Sequence, residues 1–176
     1  IWAMKQPLFL FLFFLSLLFA AVAPAAAQGS AEDSSEASDP VVFETSRLII
    51  SGGGIDGDAR EYSFMVELAL STRQRAHGLM FRERLADDVG MLFLYDSEAR
   101  RHMWMKNTMV PLDMLFFDKN GGITRIEHEA TPYSKQPISS GGPARGVLEL
   151  AGGTARGLGI VAGDRILHPL LPPAAK

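Results

Sequence analysis

Short runs rich in β-branched and aromatic residues, broken by glycine, aspartate and asparagine, recur between residues 41 and 168. Runs of that length, spaced about 8–12 residues apart, bury their apolar side chains only by pairing edge to edge, which commits the chain to a mainly β fold. Strands are expected at 41–50, 60–70, 90–95, 103–107, 112–118, 123–129, 145–150 and 165–168. Ser51-Gly52-Gly53-Gly54 and Asp56-Gly57-Asp58 supply turn chemistry between the first two. Asp118-Lys119-Asn120-Gly121-Gly122 marks a hairpin, because Asn-Gly tolerates the positive φ of tight turns. Two short helices interrupt the pattern. Ser71-Thr72-Arg73-Gln74 has the spacing of a capping box and Gly78 suits the helix end, while residues 154–158 precede Gly159. The glycine-rich Ser139-Ser140-Gly141-Gly142-Pro143 reads as a loop. The fold class expected is a compact β-sandwich or closed barrel of about eight short strands with two short helices.

The first forty residues differ in kind. Lys5 is followed by an apolar run and then Ala25-Ala26-Ala27, the pattern of a cleavable export signal over residues 1–27. The apolar stretch is shorter than the ~20 residues of a spanning helix, so an uncleaved inner-membrane anchor is the lesser alternative. Residues 28–40 are acidic, with Glu32, Asp33, Glu36 and Asp39 and no base, and read as a disordered tether. A single domain over 41–170 and a tail at 171–176 complete the expected organisation. The expected location is periplasmic or secreted, with membrane contact only through the export signal.

Those four acids and Lys5 account for the charge imbalance of 17 Lys+Arg against 20 Asp+Glu, so the remainder is balanced. A body without basic excess argues against nucleic acid as a partner. Cys is absent, which removes thiolate nucleophiles, thiolate metal sites and disulfides.

The chemistry concentrates in His102-Met103-Trp104-Met105-Lys106-Asn107-Thr108, just before Pro111-Leu112-Asp113 and an apolar run. Polar groups wedged into such sequence must be paired, solvated or used. If 102–108 is extended, His102, Trp104, Lys106 and Thr108 share one face, opposite Met103, Met105 and Asn107. An indole beside a cation suits a sugar, a carboxylate or an acyl anion; Lys106 merely laying its stem along Trp104 is the plainer alternative. Asp113, Glu67 and Glu149 are single carboxylates inside apolar runs, and two of them converging would allow acid–base chemistry. Arginines 73, 75, 82, 84, 100 and 101 interleave with acids and read as a salt-bridged surface. His102, Met103 and Met105, near Met109 and Met114, are soft donors that select Cu(I), and Trp104 among them is similar to the Met-Trp-His arrangement of periplasmic copper chaperones. Alternation, however, sends His102 and Met103 to opposite faces. Zinc or iron spacing, a nucleophile elbow, a P-loop and a dinucleotide fingerprint are not found in the sequence.

Taken together, several motifs resemble the domain-of-unknown-function family number 192. They are Glu67-Leu68-Ala69, the run from Arg75 to Arg82, Gly90-Met91-Leu92-Phe93, Trp104-Met105-Lys106-Asn107-Thr108 with Pro111-Leu112-Asp113, the run from Val147 to Gly153, and Leu158-Gly159-Ile160 with Gly163-Asp164. Met103 departs from the family's usual phenylalanine but stays apolar. The resemblance implies a small, mainly β domain, often exported in bacteria, with no established activity, and it puts Arg75, Trp104, Lys106, Asn107, Thr108 and Asp113 at signature positions. The expected function is binding of a small polar or anionic cell-envelope ligand at those residues, without a cofactor. Alternatives are an envelope glycan hydrolase or lyase using paired carboxylates and a periplasmic Cu(I)-binding protein.

Overall fold

Alternation of apolar and polar residues draws the first strands, β1 (Glu44–Gly52) and β2 (Arg60–Ala69), into an antiparallel hairpin with Glu44 opposite Leu68 and Gly52 opposite Arg60. A computed structural model describes residues 40–53 and 59–173. The expected leader and all of the tether before Pro40 lie outside the described residues, as do Asp56-Gly57-Asp58 and the last three positions of the tail.

After β2 comes α1 (Thr72–His77), closed by the capping box read from the sequence. Ser71 Oγ accepts from the Gln74 amide at 3.1 Å, and Gln74 Oε1 accepts from the Ser71 amide at 2.9 Å. The connection through α1 lets β3 (Val89–Met103) run parallel to β2, whereas the remaining pairings are antiparallel. Strands β4 (Leu112–Phe117) and β5 (Ile123–Ala130) form a hairpin across the expected Asn-Gly turn, where Gly121 takes φ 84°. Then follow β6 (Ile138–Ala151), α2 (Thr154–Leu158) and β7 (Arg165–Leu167).

The strand order is β5-β4-β6-β3-β2-β1-β7. The sheet curls as a half-barrel, and its two edges meet at one corner through the Gly122–Arg165 bridge and the 2.8 Å bond from the Ile123 amide to Asp164 O. The mainly β class is as expected, in seven strands where eight were read. The expected strand at 90–95 continues to Met103 as β3, because residues 99–103 pair with β6 beyond an irregular exposed stretch. Charged side chains on both faces of that stretch hide the period-two signal. Residues 104–107, expected as strand and as part of an extended 102–108, instead lie outside any strand and turn back, since their backbone bonds go to neighbouring loops. The Ser139–Pro143 loop expected from its glycines is, correspondingly, the start of β6, with register shifts in the pairing.

Both faces of the sheet's centre are buried. Leu48, Phe64, Val66, Leu92, Leu115, Leu148 and Ile166 meet inside the curl, joined by Ala155 of α2. On the other face Met91, Phe93, Met114, Phe116 and Val147 are covered by Leu79 and Met105. A sheet buried on both sides loses the in–out pattern that would assign a lone polar residue to solvent. Gly90 keeps β3 tight against β6 at this point: a Cβ there would lie 2.5 Å from the Glu149 carbonyl oxygen.

Candidate functional site

Three loops knot together above the second face. Residues 105–108 form a turn whose Thr108 amide bonds Met105 O at 3.1 Å. The Phe81 amide donates to Asn107 O at 2.8 Å from one side, and the Tyr133 amide to Thr108 O at 3.1 Å from the other. Ser134 O accepts from the Met105 amide at 2.9 Å, and Asn107 Nδ2 donates to the Met80 sulfur at 3.8 Å. Phe81, Asn107 and Tyr133 all take left-handed φ, at 65°, 55° and 61°. That region is costly for any side chain and most of all for bulky ones. Met105 anchors the turn in the core, and Thr108 is buried.

Beneath the knot is a recess of about 30 Å³, the size of one water-sized guest. Its walls are His77 and Met80 from α1 and the turn after it, and Phe93 and Met103 from β3. Trp104 and Lys106 stand at its mouth, both exposed, with Lys106 Nζ 5.8 Å from the indole centroid. Glu149 reaches it from β6. The two exposed signature side chains therefore share one concavity.

Glu149 carries the unusual electrostatics. In the sheet register it sits between two wholly buried methionines, Met91 on β3 and Met114 on β4. It is 3% exposed, and burial alone pushes its carboxyl up to about 8, with no donor or cation offsetting the lost hydration. At neutral pH it is therefore a protonated acid able to donate a hydrogen bond. Tyr95, on the same face, also has its phenol pushed up by burial, opposed by Arg101 and Arg75 stacked on its ring at 3.8 and 4.9 Å.

Asp113 has a different position. One residue out of step with Glu149, it points to the opposite face, where Oδ2 accepts from the Ala155 amide and Oδ1 from the Glu129 amide, each at 2.8 Å. It supplies the cap α2 lacks, since N-cap Gly153 has no side chain to offer. Glu67 shares the face of Glu149 but stands two strands away, about 10 Å by sheet spacing, with Met91 between. Its carboxylate is held by Arg82 at 2.8 and 2.6 Å. The structure thus brings no second carboxylate of the three into the recess. Arg75 lines it, yet its guanidinium donates to Leu94 O at 3.1 Å and to Leu70 O, tying α1 to the sheet. Of the expected copper donors, His102 is exposed, Met103 lines the recess and Met105 is sealed in the core. Among the described residues no group of three His, Cys, Asp or Glu could hold a metal ion.

Sequence reading passed over His77, Met80 and Phe93 as walls and Phe81 and Tyr133 as rims. The run 75–82 contains three of the five, but nothing in it signals a left-handed Phe81. A larger groove, about 660 Å³, lies along Tyr62, Thr154 and Leu158. Its acids Asp87 and Asp88 are exposed, and none of the candidate catalytic, ligand-binding or copper residues read from the sequence lines it. Size does not decide the site; the buried acid with its raised carboxyl, beside Trp104 and Lys106, does.

Two solved structures are similar to the chain. One, from Sinorhizobium meliloti 1021 and described as a candidate transcription regulator, is 40% identical, with TM-score 0.69 over 73% of this chain and 97% of that one. The other, of unknown function from Novosphingobium aromaticivorans DSM 12444, is 34% identical, with TM-score 0.67 over 80% of this chain and all of the other. No curated protein matches the chain significantly. The profile of domain-of-unknown-function family 192, described as an uncharacterised ACR, matches residues 55–168, and with most of the folded region covered, the chain belongs to that family.

Proposed function

We propose that the protein is an exported binding domain that holds the head group of a small polar or anionic ligand in the recess under Trp104 and Lys106. The observation that carries this reading is Glu149, a buried acid whose carboxyl burial pushes up to about 8 and which lines the same recess as Trp104 and Lys106. Leaving a buried polar group unpaired is costly, and a ligand oxygen accepting its proton provides a partner. Lys106 at the mouth adds the charge that favours an anion, and Trp104 adds a face for the rest of the molecule. The apolar leader with its alanine trio supports delivery to the periplasm or beyond. The even charge of the domain gives no support to nucleic acid as the ligand.

Titration of the folded domain with acetate, followed by amide and indole NMR shifts, tests the proposal. Shifts centred on Trp104, Lys106 and Glu149, weakened in Lys106→Ala, are expected. Acetate and phosphate both leaving these signals unmoved would end it.

A Cu(I) reading has one observation in its favour: the imidazole of His77 and the thioethers of Met80 and Met103 line the same recess as Trp104. His77 Nδ1 lies 3.1 Å from Gly78 O, which leaves Nε2 as the ring's other ligand atom. Competition with a colorimetric Cu(I) chelator separates the two. Copper capture abolished by Met80→Leu with Met103→Leu would favour the metal over the anion.

A further inference from the structure

The recess is only about 30 Å³, so most of any ligand must lie outside it. What waits outside is aromatic. Phe81 is 65% exposed, Trp104 54% and Tyr133 60%, and these are the three largest exposed rings among the described residues. They come from three separate loops, and the backbone bonds of the knot hold all three around one turn. Two of them are kept there at left-handed φ, a conformation that sheds its cost when the residue is glycine. Ring-bearing residues retained at strained, solvent-facing positions point to contact with something outside the chain.

The chemistry of that contact is constrained from two sides. Each ring is open to solvent and none is enclosed in a slot, which disfavours a flat apolar ligand that would need burial on both faces. An open aromatic face suits a flat, hydroxyl-bearing ring whose C–H groups stack while its hydroxyls stay hydrated. Charge supplies the other constraint: Lys106 Nζ is 5.8 Å from the Trp104 ring, and Lys106 and the buried Glu149 line the same recess.

We infer that the site takes an acidic glycan, with the carboxylate of a uronate-type sugar entering the recess between Lys106 and Glu149 while its ring and its neighbour stack on Trp104 and on Tyr133 or Phe81. This rests on the anion-binding reading above and names its ligand class. Each element has its own task. The recess selects a carboxylate attached at a ring edge, Lys106 neutralises it, and the exposed rings read the polymer on either side. Rings on three separate loops favour an oligosaccharide over a free monosaccharide.

Isothermal titration and NMR with tetragalacturonate, maltotetraose and acetate test the inference on the folded domain. Tetragalacturonate is expected to bind at least about tenfold tighter than acetate, the worth of one or two stacking contacts, and maltotetraose more weakly than tetragalacturonate by a similar factor. Trp104→Ala should lower tetragalacturonate affinity by about tenfold, a larger loss than it causes for acetate. Trp104→Phe should retain most of the advantage, which separates loss of a ring from loss of fold, and thermal midpoints of all variants confirm folding. Acetate bound as tightly as tetragalacturonate would overturn the glycan assignment and leave the anion site standing. Maltotetraose bound as tightly as tetragalacturonate would overturn the acidic part. Silence from all three probes overturns both the inference and the reading beneath it.

Discussion

Asp113 and Glu149 are neighbours on adjacent strands, one register step apart, and both are buried acids. Inside the curl, Asp113 accepts from two backbone amides, with His128 Nδ1 3.9 Å from Oδ1, and so holds α2 and the end of β5. On the other face, Glu149 has two methionines beside it and a small cavity in front of it. Equal burial therefore means opposite things. One acid is part of the frame, and the other is a carboxyl that burial pushes up to about 8 beside the recess.

The comparison breaks first at Asp113. Asp113→Ala should lower stability by about 3–5 kcal/mol, because two hydrogen bonds go and the buried Ala155 amide and part-buried Glu129 amide lose their acceptor. Chemical denaturation measures it, and a loss under about 1 kcal/mol would deny the framing role.

Glu149→Gln should act in the other direction. Because the folded carboxyl titrates at about 8, against an ordinary 4.5, the folded protein keeps a proton that the unfolded chain releases. Native stability therefore falls as pH rises from about 4.5 to 8 and is flat beyond. The glutamine variant escapes that decline. It should exceed the parent by about 2–4 kcal/mol at pH 8 and by little at pH 4.5, measured as paired denaturation curves. Equal curves at both pH values would mean that Glu149 is no more burdened than Asp113.

Tyr133→Gly sharpens the contrast between frame and exposed rings. Relief of the left-handed backbone should raise stability by about 1 kcal/mol, while affinity for an acidic oligosaccharide falls. Smallest is Arg82→Ala, which breaks the half-exposed pair with Glu67 and should cost about 0.5–1 kcal/mol without changing ligand affinity.

Local chemistry was well legible in the chain. The capping box over Ser71 and Gln74, the Asn-Gly hairpin and the glycine-bounded α2 each depend on a few adjacent residues, and each is where the sequence puts it. The ribbon of β3 and β6 was not, since Asp96 to Arg101 has neither alternation nor apolar bulk and its strand state is set by the partner. Asp113 and Glu149 looked alike for a related reason: with both sheet faces buried, parity says that they differ in face but not which face carries a cavity. Trp104 and Lys106 were identifiable as a pair by their chemistry. Phe81 and Tyr133 were not, because a left-handed backbone at a bulky residue has no sequence signal and is imposed by bonds from distant loops.

The protonation state of Glu149 bears most directly on the whole scheme. The 13C shift of its side-chain carboxyl, followed by NMR from pH 4 to 10 with Glu149→Gln as the assignment control, reads it residue by residue. A neutral carboxyl at pH 7, titrating near 8 and moving when a carboxylate ligand is added, is the expected result. An ionised Glu149 at pH 6, indifferent to ligand, would contradict it.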